Sequence, residues 1–213
     1  MARIDFKWQE PKLNGYEGVN PDDFRTALPD SLKSDKPFLV FLTSDLPDDS
    51  QEMSNISSTT LRDESVAIGA TLFSQLKVNG LKVKEGSAFW KTLGGKELPR
   101  MVVVDAAGAK VGAVEGKDIS PSKVFGLMKR AATRTYKTDL EKVVKETKSI
   151  LTEIDQVEAK RAALATKKEH STVAKETEWA REAKALDDQL KAIEAKEADL
   201  RKKWAEEKKV TKA

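Results

Sequence analysis

The sequence predicts an α/β head, with a central sheet flanked by helices, followed by a long helical tail that folds back as an antiparallel coiled-coil hairpin. Three observations carry this reading. All seven prolines, all seven phenylalanines and all eleven glycines fall within residues 1–136, whereas residues 137–213 hold none of them but 19 Lys/Arg and 17 Asp/Glu. Two short apolar runs in the head, residues 38–42 and 101–104, have the composition of strands covered on both faces. In the tail, apolar residues recur every seven positions, the period of a helical seam. The boundaries follow: an N-terminal extension over 1–21, a head domain over 22–136 and a tail over 137–213.

Taken in order, Ile4-Asp5-Phe6-Lys7-Trp8 alternates as a short edge strand does. Asn20-Pro21-Asp22-Asp23 resembles a helix start, and Phe24, Leu28 and Leu32 follow at helical spacing. The run 38–42 is a strand, and the polar residues 43–60 read as a connection. Residues 61–73, with Val66, Ala67, Ile68, Ala70, Leu72 and Phe73, read as a buried helix. Leu76-Lys77-Val78 and Leu81-Lys82-Val83 alternate like strand. Residues 87–93 form a short helix closed by Gly94-Gly95. After Pro99 comes the second buried strand, then a turn at 105–108 and an antiparallel return over 110–114. Ser120-Pro121 opens a last helix, with serine as its cap and proline at its first position.

This order resembles a thioredoxin-like domain over residues 22–135. The carriers are the strand 38–42, the strand after Leu98-Pro99-Arg100, the turn 105–108 and the helix from Ser120. In that family a cis-proline immediately precedes the fourth strand and faces the redox site. Pro99 stands in that place, so the resemblance implies a cis Leu98–Pro99 bond. It also implies that Leu98, Pro99 and Arg100 line a groove able to pair with an extended peptide. The family's Cys-x-x-Cys belongs where this chain has Thr43-Ser44-Asp45-Leu46-Pro47-Asp48-Asp49-Ser50, and the sequence has no cysteine at all. The resemblance therefore implies a scaffold, not dithiol exchange.

The tail is read from its heptads. Leu140, Thr147, Ile154 and Arg161 form the a series, and Val143, Ile150, Val157 and Leu164 the d series. A second set places Trp179, Leu186, Ile193 and Leu200 at d, with Ala183, Leu190 and Trp204 at a, weakened by Glu176 and Glu197. Val143 and Trp179 are out of phase by one residue, and the polar stretch 167–172 separates the two sets. A reversal near Glu169 then pairs the sets within one chain and sets Leu186 beside Ile150 and Ile154. The alternative is an unbroken helix in a two-chain rod. A narrow stripe with nearly balanced charge favours helix pairing over a membrane surface.

Composition excludes several chemistries. Without cysteine there is no thiolate catalysis, thiolate zinc site or iron–sulfur cluster. The single histidine, His170, allows no histidine pair for a metal. Asp45, Asp48, Asp49 and Glu52 offer oxygen ligands, yet without the spacing of a calcium loop, so the favoured reading is a solvated helix-capping loop. Gly108, Gly112 and Gly116 lie along a hairpin, not between a strand and a helix as a nucleotide loop requires. Ser120-Pro121-Ser122-Lys123 lacks the companion motifs of a Ser-x-x-Lys nucleophile. Net charge is +3 with acids and bases interleaved, against nucleic acid as a partner. No run is long enough to span a bilayer and no cofactor is implied. The chain is expected to be cytoplasmic as written, or exported once a signal peptide has been removed.

The leading functional reading is a non-catalytic protein that binds another protein or serves as a scaffold, through its tail and the groove near Pro99. Two others stand beside it: a redox-chaperone or enzyme component whose catalytic group comes from a partner, and a metal or small-ligand sensor built on the acidic loop.

Overall fold

The computed structural model describes residues 4–10, 28, 30, 35–43, 51–83, 85–137, 139–169 and 176–206. The chain divides into two units that meet between Glu141 and Lys142. In the first, strands β1 (Phe38–Thr43), β2 (Ser74–Asn79), β3 (Arg100–Val104) and β4 (Lys110–Glu115) form one mixed sheet in the order β2-β1-β3-β4. β1 runs parallel to β2 and antiparallel to β3, and β3 is antiparallel to β4. The N-terminal segment adds a parallel bridge, Gln9 to Leu76, outside β2. With that bridge, the strand order and directions are thioredoxin-like.

β1 sits between two strands that close its edges, and core packs on both its faces, so five consecutive apolar residues are buried there. Leu39 and Phe41 alternate into one cluster with Met101, Val103, Val124 and Met128. Phe38, Val40 and Leu42 enter the other with Val102, Val104, Phe89 and Leu93. The helices are α1 (Gln51–Ser58), α2 (Glu64–Ala70), α3 (Ala88–Leu93) and α4 (Pro121–Thr135). Asp63 caps α2 by accepting the Val66 N–H at 2.9 Å, and Ser87 caps α3 by accepting from Trp90 at 3.3 Å. At the turn 105–108, Asp105 Oδ1 accepts from the backbone of Ala107 and Ala109. α4 closes the sheet with Val124, Leu127, Met128, Ala131 and Ala132 buried.

Four expectations need correction. Residues 51–58, read as part of a polar connection, are helical, because a short amphipathic turn with Met53 and Ile56 inward needs only two apolar anchors. The helix expected over 61–73 spans only 64–70, since Asp63 caps it late and Thr71 ends it. Residues 80–82 are a 3₁₀ turn, not strand, because Asn79 accepts the Leu81 N–H at 3.0 Å and turns the chain. Ser120 precedes α4 but makes no side-chain cap bond; Pro121 alone marks the start. The helix expected from Asn20 and the acidic loop at 44–50 lie outside the described residues, although Leu28 is buried.

The second unit is an antiparallel helical hairpin made by α5 (Leu140–Glu169), most of which lies in this unit, and α6 (Glu176–Glu206). Val157, Leu164 and Leu186 form its buried centre, with Trp179, Ala183, Leu190 and Ile193 packed against it. Two ion pairs mark the register: Arg161 to Asp187 at 3.0 Å and Lys196 to Glu153 at 3.0 Å. Leu186 therefore meets Val157 and Leu164 instead of Ile150 and Ile154. The helices are separated by residues 170–175, which moves the point of reversal beyond Glu169 and shifts the pairing by about three turns. Along α5 the d series Val143, Ile150, Val157 and Leu164 is buried throughout, with Thr147, while Ile154 is half-buried and Arg161 exposed. Along α6, Leu186 and Trp204 are buried, and Leu200 is half-buried. Leu140, at the start of α5, belongs to the head's core instead.

Candidate functional site

The loop before β3 carries the residues of the expected groove. Leu98–Pro99 is cis. Pro99 is buried and Leu98 half-buried, its side chain resting on Gly80 beside the carbonyl of Thr43. A Cβ at position 80 would collide with both Leu98 methyl groups, so glycine is what lets the 3₁₀ turn approach this loop. The ends of β1 and β2 and the start of β3 thus converge on Leu98. Among the described residues, no hydrogen bond reaches the main-chain N–H or carbonyl of Leu98.

Arg100 is held beneath this loop, 2% exposed. Its Nη1 donates to the Leu93 carbonyl at 2.8 Å and its Nη2 to the Glu97 carbonyl at 2.7 Å. Its Nε lies 3.0 Å from Glu115 Oε1, an ion pair set off the hydrogen-bond direction, so this N–H makes no hydrogen bond. Glu115 Oε2 in turn accepts the Glu97 N–H at 3.1 Å. Lys110 Nζ donates to the Gly94 carbonyl at 3.3 Å; burial, and then the charge of Arg100, push its pKa below the usual lysine value, against the pull of Glu115. The whole 93–97 segment is therefore fastened from below by a charged network. Arg100 braces the loop from below, and its main chain already lies in the sheet, between Leu42 of β1 and Glu115 of β4.

A shallow cavity of about 590 Å³ opens beside the loop, lined by Glu97, Leu98, Glu115, Lys117 and Asp118. Leu81, which follows Gly80 in the chain, is 60% exposed and is the one large exposed apolar side chain among the described residues. Reading 81–83 as strand hid it. The Asn79-Gly80 pair, a strong turn signal, would have placed Leu81 at a strand end. Asp45, Asp48, Asp49, the Glu52 side chain and His170 lie outside the described residues. Within those residues no group of three His, Cys, Asp or Glu side chains could hold a metal. No helix there is long and apolar enough to cross a membrane. Chemically, the site offers the main chain of Leu98, unpaired among the described residues, an apolar shelf and no nucleophilic sulfur.

No family model matches the sequence, and no curated protein matches it. Among solved structures, the chain is similar to a DsbH oxidoreductase at 14% identity, covering 46% of this chain and 73% of that one, with a TM-score of 0.35. It is also similar to the C-terminal domain of DsbD from Neisseria meningitidis in its oxidised form, at 17% identity over 46% and 81% of the two chains, TM-score 0.36. A thioredoxin from Thermus thermophilus matches at 16% identity over 46% and 75%, TM-score 0.35. Strand order carries the fold, and overlaps of this size add nothing to it.

Proposed function

We propose that this chain is a non-catalytic binding protein whose head takes up an extended segment of a partner protein beside Leu98, while the hairpin supplies a rigid helical arm for assembly. Dithiol exchange by the chain itself is chemically closed, since it contains no cysteine. The observation that carries the reading is the main chain of Leu98, unpaired among the described residues, held in place by the Arg100 network and packed on Gly80, which the exposed Leu81 follows in the chain. A segment laid there would gain main-chain bonds from Leu98 and an apolar contact from Leu81, the two elements of strand addition. Peptides selected from a displayed library against the full chain, then titrated into isotope-labelled protein, provide the test. Amide shifts centred on residues 79–83 and 97–100, abolished by Leu98→Pro or Leu81→Asp, are expected. Selected peptides that shift only tail residues would overturn the groove.

A further inference from the structure

The closing helix α4 has an outward face that the groove does not explain. Its sequence contains Lys123, Lys129, Arg130 and Arg134 and no acidic residue, although the head as a whole is nearly neutral. The side chains of Lys123, Lys129 and Arg134 are 52%, 41% and 56% exposed. Carboxylates already meet them: Asp118 to Lys123 and Glu141 to Lys129, each at 2.6 Å, and Asp105 to Arg134 at 3.0 Å. Arg130, in the middle of the stripe, makes no hydrogen bond or ion pair among the described residues.

A second observation lies on the same face. Gly126 sits inside α4, three residues after Lys123 and four before Arg130, so the three share one side of the helix. Its backbone φ is not positive, and a Cβ there would meet nothing within 4 Å. Neither backbone conformation nor packing calls for glycine, which weakens a helix interior relative to alanine. What it provides is a bare patch of helix flanked by cations, where another chain can come close to the backbone.

We infer that the α4 face docks an acidic protein segment, whose carboxylates engage Arg130 and exchange with the exposed pairs at Lys123 and Lys129 while its backbone lies over Gly126. Exposed pairs of this kind are weak and give way readily. Asp118 and Asp105 stand at the two ends of the stripe, with Glu141 between them at Lys129, and would repel a continuous phosphate chain, which favours a short acidic segment over nucleic acid. Asp118, the partner of Lys123, also lines the cavity beside Leu98, so the stripe adjoins the groove at that end, whereas Gly126 and Arg130 are not among the residues that line it.

Fluorescence anisotropy of a labelled polyglutamate peptide with the full chain, at low salt, tests it. Saturable binding is expected, weakened about tenfold by Arg130→Glu, a change of about 1.4 kcal/mol. Gly126→Leu should weaken it as well, by occupying the bare patch, while Lys96→Glu, on the exposed loop before Leu98, should leave it unchanged. Absence of saturable binding, an equal loss in Lys96→Glu, or tighter binding of a DNA duplex of matched charge would overturn the inference.

Discussion

The head and the tail bury their apolar residues by different means. In the head, every residue of β1 from Phe38 to Leu42 is at most 2% exposed, because strands close both edges and the two apolar clusters close both faces. In the hairpin, one helix covers one stripe of the other, so Trp179, Ala183, Leu190 and Ile193 stay half-exposed around a small dry centre. The head's stability is thus concentrated in long-range contacts that tolerate little change. The tail's is spread along its length, and a few exposed charged pairs mark its register. Both carry polar groups inside, but differently. Arg100 is engaged by two carbonyls and Glu115, whereas the Thr147 hydroxyl is buried in α5 with no hydrogen-bond partner among the described residues.

The sharpest test of this contrast is Arg100→Leu. It strands the Leu93 and Glu97 carbonyls and the Glu115 carboxylate, and breaking a buried ion pair from one side costs about 3 kcal/mol. Glu115 retains 30% exposure, which holds the expected loss at the lower end of that range. Urea denaturation followed by Trp fluorescence measures it. Hydrogen exchange should show the loss in β1 and β3, with α6 unaffected. Equal acceleration in α6 would mean that the two units unfold together.

Leu186→Ala makes the complementary cut. Leu186 lies at the centre of the hairpin cluster, and truncation of a buried leucine costs at least about 2 kcal/mol. The half-covered seam can close around the loss, so the low end is expected. Faster exchange confined to α5 and α6 would confirm the separation; faster exchange in β1 would contradict it.

These differences explain what could be read from the sequence. The strands β1 and β3 were legible because a doubly covered strand needs an unbroken apolar run, and the turn at 105–108 because Asp and Gly have a local role there. The heptad period was legible for the same reason: it is local. The hairpin's register was not, because it depends on the separation of the helices across residues 170–175 and on pairs such as Arg161–Asp187 that join distant positions. At the candidate site, Pro99 could be placed from strand order. The inward direction of Arg100 could not, since it is set by carbonyls of the preceding loop, and an arginine beside a groove reads from sequence as exposed.

Tyr136 offers a smaller effect with a distinctive pH signature. It is 3% exposed, and its hydroxyl donates to the Leu72 carbonyl at 2.7 Å. Burial, and then the negative charge of Asp35, raise its pKa far above the ordinary tyrosine value. The folded state therefore holds this proton more tightly than the unfolded state. The resulting stability is fully present below about pH 10, the unfolded value, and is lost as pH rises toward the folded one. Tyr136→Phe should cost about 1 kcal/mol at neutral pH through the lost hydrogen bond. Above pH 10 the gap between the two proteins should narrow, because only the tyrosine can ionise. A gap that stays constant in urea titrations from pH 7 to 11 would mean that Tyr136 is not the group responsible.

The smallest expected effect belongs to the pair that marks the tail's register. Lys196 lies 3.0 and 3.2 Å from the two oxygens of Glu153, with side chains 54% and 39% exposed. Water screens such a pair, so Lys196→Ala should lower stability by only about 0.5 kcal/mol, and less in high salt. Its influence on register should be larger than its energy suggests, because a half-covered seam has few other features that distinguish one alignment from the next. Spin labels at Glu158 and Lys191, both exposed and opposite each other in the observed register, should lie within about 15 Å in the unaltered protein, given helix axes 8–10 Å apart. Adding Lys196→Glu should broaden that distance distribution, and the further change Glu153→Lys should narrow it again by restoring the attraction with its sign reversed. A distribution that stays narrow through both steps would assign the register to Val157, Leu164 and Leu186 alone, and the tail would then resemble the head in being held by its apolar centre.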